Sequence, residues 1–347
     1  MSAALVVDHA SAPFRRGTVD ADPLGPLDVL IDIAYCGLCQ TDVHLARDEW
    51  GGSTYPMVPG HEIAGRVRAV GVAVETFVVG DRVGVSTYVD SCRRCPQCLA
   101  GLEQYCAEGE VLTYNGRRYD GRPTFGGYRT SITVDEHFVI PIPAGIELQH
   151  AGPLMCAGTT VYSALQHFGA GPGVAVAIIG LGGLGHLAVQ LARAMGATVT
   201  TISRSRDKAA DSLRFGAATH LAADEVLADP APQFDLVVNT VGDLPRAVEL
   251  LALVRQDGTW VDVGVSTSPR PVTFGSLADS RRRLTASKIG SPDDMRAMLA
   301  LADQEGVRPD ITLIGADDVD AAFDTIAAGT APYRYVLDTS TIGRDDQ

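Results

Sequence analysis

The feature that most constrains the fold of this 347-residue chain is an apolar run followed by a glycine-rich turn and an amphipathic stretch. The three parts are VAVAIIG (174–180), GLGGLG (180–185) and LGHLAVQLARAMG (184–196). A continuous apolar run is typical of a strand that is covered on both faces. Apolar residues at helical spacing that end at Gly196 predict a helix with a glycine C-cap. Together the parts predict a strand–turn–helix unit of a parallel sheet.

Strand-like and helix-like segments continue to alternate after this unit. Strands are predicted at ATVTTIS, THLAA, FDLVVNTVG and GTWVDVG, and a helix at DLPRAVELLALV (243–254). This alternation predicts a doubly wound α/β domain over 156–288. Residues 1–155 contain short β-rich runs broken by glycine and proline, which predict a β domain, and 289–347 are expected to return to it.

The glycine-rich turn predicts a dinucleotide-binding site, because glycines let the backbone approach a pyrophosphate at a helix N-terminus. The candidate residues are Gly180, Gly182, Gly183 and Gly185. The next predicted strand ends in TTISRSRDK, where basic and hydroxyl residues precede the first acid, Asp207. Such residues suit a 2′-phosphate, so NADP is predicted. The candidates are Ser203 and Arg204, assisted by Arg206 or Lys208, although these charges would also fit a solvated loop.

Four of the seven cysteines fall within fifteen residues, as C-x2-C-x2-C-x7-C. They are Cys92, Cys95, Cys98 and Cys106. Four thiolates this close in sequence can surround one tetrahedral zinc ion with no open position, which is typical of a structural site. An iron–sulfur cluster is the alternative that the ligand type leaves open.

A second cysteine motif, YCGLCQTDVH (35–44), is ambiguous by itself. Its C-x-x-C spacing would fit a redox dithiol, half of a zinc finger, or part of a catalytic metal site. The surroundings lack the helix–sheet context of a thioredoxin-like motif, which disfavours the dithiol.

The chain resembles the zinc-dependent medium-chain alcohol dehydrogenases, nearest their cinnamyl-alcohol-dehydrogenase-like group. The resemblance rests on CGLCQTDVH, YPMVPGHEIAGRV, the four-cysteine motif, MCAGTTVYSAL, GLGGLGH and PYRYVLD, which span nearly the whole chain. It implies a GroES-like catalytic domain, a Rossmann NADP-binding domain and two zinc ions per chain. The implied reaction is the interconversion of primary alcohols and aldehydes, aromatic or medium aliphatic, by hydride transfer to or from the nicotinamide.

The resemblance also implies roles for residues in and around the motif YCGLCQTDVH (35–44). The implied ligands of a catalytic zinc are Cys39, His61 and Cys156, with a fourth position open for substrate. Asp42 would orient His61, and Glu62 would assist ligand exchange beside the zinc. Thr41 would bond the substrate oxygen, and His44 would end a proton relay.

Two departures and two alternatives limit the substrate prediction. Val111 stands where plant members carry a pocket tryptophan, and Gln40 replaces a histidine common after the catalytic cysteine. A polyol or secondary-alcohol dehydrogenase of the same superfamily is one alternative, although sorbitol-type members often lack the four-cysteine motif. A catalytically silent dinucleotide-binding protein is the other, disfavoured by the full ligand set.

Composition adds expectations about partners and location. A net charge of −14 argues against nucleic-acid binding, and no apolar run approaches the roughly 18 residues that would cross a bilayer. Clustered cysteines and the absence of a signal-like N-terminus favour the cytoplasm. The family resemblance implies a homodimer paired near RRLTASKIG (282–290).

Overall fold

The computed structural model describes residues 1–229, 233–266 and 269–343, so the predicted domains 156–288 and 289–347 each include residues outside the described ranges. Its strands are β1 (Ser2–Val6), β2 (Arg15–Val19), β3 (Asp28–Gly37), β4 (Ile63–Val70), β5 (Arg82–Val85), β6 (Tyr88–Asp90), β7 (Val111–Leu112), β8 (Ser131–Asp135), β9 (Ile140–Pro141), β10 (Ala175–Ile179), β11 (Thr198–Ser203), β12 (Thr219–Ala222), β13 (Phe234–Asn239), β14 (Val254–Asp262), β15 (Arg283–Ala286), β16 (Ile311–Ile314) and β17 (Arg334–Asp338). Its α-helices are α1 (Gln40–Ala46), α2 (Pro96–Leu99), α3 (Leu148–Pro153), α4 (Thr159–His167), α5 (Gly185–Ala194), α6 (Ala209–Arg214), α7 (Ala223–Ala228), α8 (Ala247–Leu250), α9 (Phe274–Ala278), α10 (Pro292–Gln304) and α11 (Val319–Ala327).

The chain divides into two compact units. The first unit contains Met1–Cys156, Ser291–Asp303 and the chain from Arg308 onward. The second unit contains Ala157–Gly290 and Gln304–Val307. The first unit is therefore built from both ends of the sequence.

The first unit is organised around a sheet in the order β16-β17-β3-β4-β5-β9, with β8 also paired to β3. All of its pairings are antiparallel except that of β16 with β17. The long central strand β3 alternates buried and half-buried residues and ends at Gly37, directly before α1. This strand carries the first residues of the motif YCGLCQTDVH (35–44) into the interior of the unit.

The second unit contains a parallel sheet in the order β12-β11-β10-β13-β14-β15. The predicted apolar run forms β10, whose last four residues are buried, and the amphipathic stretch forms α5. The order changes direction at β10, and the glycine-rich turn follows the carboxyl end of this strand, where open α/β sheets bind ligands. The doubly wound prediction is confirmed.

The prediction of a helix over 243–254 is mostly wrong. Only Ala247–Leu250 is α-helical, and a 3-10 turn at Leu251–Leu253 leads directly into β14. Pro245 disfavours a helical conformation for the residue before it, and Arg246 has a left-handed backbone with φ of 61°. Most apolar residues of this segment are nevertheless buried and the others are half-buried, so the periodicity reflects burial rather than helix length.

No helix among the described residues is long and apolar enough to cross a bilayer.

Trp260 on β14 anchors the core of the second unit, where it is 1% exposed. Replacing Trp260 by Ala is expected to lower the free energy of unfolding by about 3–5 kcal/mol, because it removes a large buried side chain. Trp260→Phe should cost less than half as much, since the indole Nε1 has no hydrogen-bond partner in the described part of the chain. Urea unfolding of the zinc-loaded protein measures both changes, and equal losses would contradict this account.

Candidate functional site

Four side chains with metal-binding atoms converge inside the first unit. The donor atoms of Cys39, His61, Glu62 and Cys156 all lie within 4.8 Å of one another. Cys39 caps α1 immediately after β3, whereas His61 and Glu62 directly precede β4. Cys156 lies in a π-helical turn (Leu154–Gly158), a local geometry that often marks functional sites. Two thiols, an imidazole and a carboxylate are a donor set that suits zinc.

Hydrogen bonds to the carboxylate of Asp42 hold the segments that carry Cys39 and His61. The carboxylate is fully buried and accepts the backbone N–H of Cys39 at 2.9 Å and that of Gly60 at 3.2 Å. It also accepts from His61 Nδ1 at 3.0 Å and from the Tyr128 hydroxyl at 3.1 Å. The bond to Cys39 arises locally, because Asp42 is the third residue of α1 and reaches back to the residue that caps the helix. With Nδ1–H donated to Asp42, the lone pair of His61 Nε2 is available to a metal.

Burial and short contacts shift the titration of these groups. The pKa of Cys39 lies well below its usual range, chiefly because the Cys156 thiol donates to its sulfur, with burial opposing the shift. The same hydrogen bond and burial raise the pKa of Cys156. Burial by itself lowers the pKa of His61, but the charge of Asp42 and its hydrogen bond raise it well above its usual value. Cys39 is therefore the thiol of this cluster that most readily carries a negative charge.

Glu62 is fully buried and forms an ion pair with Arg334, on β17, which is only 6% exposed. Burial raises the pKa of Glu62 to about 7, although the guanidinium favours the charged form. The second carboxylate oxygen, Oε2, has no hydrogen-bond partner among the described residues. An orphaned buried oxygen beside two thiols and an imidazole fits the presence of a cation at this point.

Thr41 and His44 lie three residues apart on α1, so they share one side of the helix. His44 Nδ1 contacts a carboxylate oxygen of Glu49, and its ring stacks on Trp50 with centroids 4.6 Å apart. The His44 side chain is 22% exposed and therefore in reach of water. Glu49 and Trp50 were not among the predicted residues. The sequence RDEW (47–50) contains no known motif that would link its carboxylate or its indole ring to His44.

The four-cysteine cluster is built almost entirely from local structure. Cys95 caps the short helix α2, and Pro96 occupies its first position. Backbone N–H groups point at the sulfurs: Cys95 donates to Cys92 at 3.3 Å, Cys92 to Cys106 at 3.4 Å, and Ala107 to Cys95 at 3.4 Å. Hydrogen bonds from Ala107 and Cys98 lower the pKa of Cys95 to about 6. These N–H donors therefore favour the thiolate of Cys95, whereas burial raises the pKa of Cys98.

The spacing of the sulfurs fits one metal ion. All four lie within 4.8 Å of one another, and those of Cys92 and Cys98 are 3.9 Å apart. A tetrahedral site with zinc–sulfur bonds of ~2.3 Å places its sulfurs ~3.8 Å apart. This spacing fits a single zinc ion and disfavours the iron–sulfur cluster, whose several irons need more room.

The glycine-rich turn leaves space in which a bound pyrophosphate could lie. Gly180 has a φ of 89°, and a Cβ added there would lie 2.6 Å from Val241 Cγ2. A Cβ at Gly185, the first residue of α5, would lie 2.1 Å from the Gly180 carbonyl oxygen. Gly183 is half-buried, and a Cβ at Gly182 would meet no protein atom within 4 Å. The turn thus has an open side at Gly182, as a bound pyrophosphate requires.

The predicted 2′-phosphate residues have different surroundings. Ser203 donates to the Ser205 carbonyl at 2.6 Å, and Arg206 is paired with Glu225 at 2.6 Å. Lys208 reaches back to the glycine-rich turn and donates to the Leu181 carbonyl at 2.8 Å. Arg204 is exposed, and in the described ranges it has no hydrogen-bond or ion-pair partner. Arg204 is therefore the guanidinium in this loop that is not already engaged.

Comparisons with known proteins match both parts of the chain. The family described as the alcohol dehydrogenase GroES-like domain matches residues 25–144, and the family described as zinc-binding dehydrogenase matches residues 183–304. A probable formaldehyde dehydrogenase, AdhA, of Bacillus subtilis (strain 168) is 47% identical over 97% of this chain and 97% of its own length. NADP-dependent alcohol dehydrogenase C 1 of Mycolicibacterium smegmatis is 45% identical over 98% of each chain.

A solved structure of cinnamyl alcohol dehydrogenase from Sorghum bicolor superposes with a TM-score of 0.95 at 36% identity. The alignment covers 100% of this chain and 99% of the other.

The contacts of Asp42 generate a prediction about metal binding. Asp42→Asn is expected to weaken metal retention at the Cys39–His61–Cys156 cluster about 10- to 100-fold, because an amide orients the imidazole poorly. The four-cysteine cluster should keep its metal. Zinc content during titration with a chelator measures this, and Asp20→Asn is the control, since Asp20 is exposed and has no partner in the described residues. Simultaneous loss of both metals, or of neither, would contradict the prediction.

Proposed function

The chain belongs to the zinc-dependent medium-chain alcohol dehydrogenases, in their cinnamyl-alcohol-dehydrogenase-like group, and we propose that it interconverts primary alcohols and aldehydes with NADP. The observation that carries the proposal is the convergence of Cys39, His61 and Cys156 within 4.8 Å, where Cys39 also caps α1, the helix that carries Thr41 and His44. A protein that only binds a dinucleotide has no need of this arrangement.

We assign two zinc ions to each chain. Cys39, His61 and Cys156 hold the catalytic ion, and the four-cysteine cluster holds a structural one. Zinc with an open coordination position supplies Lewis acidity, which polarises a carbonyl and eases deprotonation of an alcohol. Asp42 fixes the tautomer and orientation of His61. The Glu62 carboxylate, charge-balanced by Arg334, is close enough to the ligands to assist their exchange.

Two side chains of α1 are placed to transfer the proton of the substrate hydroxyl. The Thr41 hydroxyl both donates and accepts, so its Oγ1 can receive a proton from the substrate hydroxyl while passing on its own. His44 lies on the same side of the helix and can accept a proton at Nε2, because Nδ1 is engaged by Glu49. An imidazole that is 22% exposed can release that proton to water.

The second unit holds the dinucleotide, whose nicotinamide carries the hydride. Gly180, Gly182, Gly183 and Gly185 form the turn around the pyrophosphate, and Ser203, Arg204 and Lys208 recognise the 2′-phosphate. Arg206 contributes less than the sequence suggested, because Glu225 already neutralises it. In this assignment 1–155 with 289–347 form the catalytic domain and 156–288 the NADP-binding domain.

The substrates we propose are aromatic or medium aliphatic primary alcohols and their aldehydes. The intact four-cysteine cluster favours this class over polyols, because sorbitol-type members often lack the cluster. We further infer a homodimer in the cytoplasm. Strand β15 is the edge of the parallel sheet and is largely exposed, so it is available to pair with a second copy.

The initial rate of cinnamaldehyde reduction, with NADPH and NADH in parallel, tests the proposal. We expect turnover with a strong preference for NADPH. Cys39→Ser should abolish turnover while the fold and about one zinc ion per chain remain. Sorbitol oxidation, measured alongside, should be slow. A fully active Cys39→Ser variant would refute the site assignment, and faster turnover of sorbitol would favour the polyol alternative.

Cofactor preference depends on the loop after β11. Replacing Ser203 by Asp and Arg204 by Ala is expected to raise KM for NADPH at least tenfold and to lower KM for NADH, since a carboxylate repels the 2′-phosphate and accepts from a 2′-hydroxyl. Arg214→Ala is the matched control, as Arg214 pairs within α6. Unchanged KM for NADPH in the double variant would mean that the 2′-phosphate is held elsewhere.

A further inference from the structure

A buried histidine lies beneath the loop that follows β11. His220, on the edge strand β12, is 6% exposed and is paired in register with Thr201 of β11. Thr201 and Ser203 point to the same face of β11, because side chains alternate along a strand. The His220 ring lies between their two hydroxyls and contacts both. The sequence analysis did not identify this residue, because a lone histidine in THLAA carries no motif.

The hydrogen-bond partners fix the protons of this group. The Ser205 carbonyl can only accept, and it lies 2.6 Å from Ser203 Oγ and 3.1 Å from His220 Nε2. Nε2 must therefore carry a proton, which it shares between the Ser205 carbonyl and Ser203 Oγ, also at 3.1 Å. In the neutral ring Nδ1 then accepts from Thr201 Oγ1 at 2.8 Å, and Thr201 accepts in turn from the buried Ser212 hydroxyl. Both ring nitrogens of His220 and the hydroxyls of Thr201 and Ser212 therefore have a hydrogen-bond partner.

This arrangement gives the Ser205 carbonyl two donors, of which Ser203 is one. If the Ser203 hydroxyl turns toward an anion, it gives up the carbonyl, but His220 Nε2–H continues to satisfy it. Ser205 is exposed, so without His220 the same rotation would leave its carbonyl to water and would remove the hydrogen bond that ties the loop to β12. The histidine thus frees a hydroxyl without releasing the loop.

We propose that His220 is a positioning residue for cofactor selection: it holds the loop after β11 in shape while Ser203 donates its hydroxyl to the 2′-phosphate. The inference rests on the proposed NADP dependence and deepens it. Other side chains of the loop are held by their own partners, Arg206 by Glu225 and the Ser205 hydroxyl by Asp207. The Ser203 hydroxyl is consequently the group whose availability depends on the imidazole.

Direct binding separates this role from a purely structural one. Adenosine 2′,5′-bisphosphate and 5′-AMP, titrated calorimetrically onto the zinc-loaded full chain, differ only in the 2′-phosphate. In His220→Phe the Kd for the bisphosphate should rise about tenfold, which corresponds to ~1.4 kcal/mol, while the Kd for 5′-AMP should change less than about twofold. KM for NADPH should rise in parallel, with kcat at saturation and KM for NADH retained.

Two further variants keep the test decisive if the Phe variant folds poorly. His220→Gln can place an N–H near the position of Nε2 and should recover most of the bisphosphate affinity. Thr219→Val is the matched control, because Thr219 is the exposed neighbour on the same strand and its hydroxyl has no partner in the described residues.

Equal losses for both nucleotides in the His220 variants would show a merely structural role and overturn the inference, as would unchanged binding of both. A wild-type protein that binds the two nucleotides equally would instead refute the NADP assignment, and the role of His220 with it.

Discussion

The buried carboxylate of Asp42 is the contact on which the geometry of the metal cluster depends. Its two oxygens accept from the residue that caps α1, from the backbone before β4, from His61 and from Tyr128. These groups belong to segments far apart in the chain, so one charge fixes their relative positions. Hydrogen bonds to a charged acceptor are about twice as strong as neutral ones, and an isolated carboxylate in this interior would be costly. Once Asp42 is satisfied, Cys39 and His61 are directed to one point.

The fold class followed from the sequence because its signals are local and repeated. Continuous apolar runs marked β10 and its neighbours, and Gly196 marked the end of α5 with a backbone φ of 91°. The segment 243–254 shows where periodicity is insufficient. Its apolar spacing reflects burial against the sheet, but Pro245 and the early start of β14 leave room for only one α-helical turn. The sequence therefore predicts a helix or a strand correctly where the apolar pattern and the backbone preferences of the residues agree.

The candidate site was predictable in its residue types but not in its supporting contacts. The structure brings the predicted ligands Cys39, His61 and Cys156 together, and their roles stay predictions. Arg334 and His220 could not be singled out, because each acts through a partner distant in sequence. Glu49 lies only five residues from His44, but the two form no recognised motif. The charge of Arg206 likewise suggests phosphate binding, but Glu225 lies beside it and neutralises it. A charge in a sequence is known, whereas its neutralising partner is a property of the fold.

The two metal clusters differ in how much of the chain must be assembled before they exist. Cys92 and Cys106 are 14 positions apart, and the turn that gathers them is closed by its own backbone N–H groups. Closing so short a loop costs little chain entropy, so metal binding there can accompany the earliest local folding. The cluster of Cys39, His61 and Cys156 requires β3, β4 and the π-helical turn to be in place together, and its contacts are long-range. A nascent chain would thus bind its first zinc ion at the four-cysteine cluster, early in folding. It would bind its second ion at Cys39, His61 and Cys156 only after the first unit has folded.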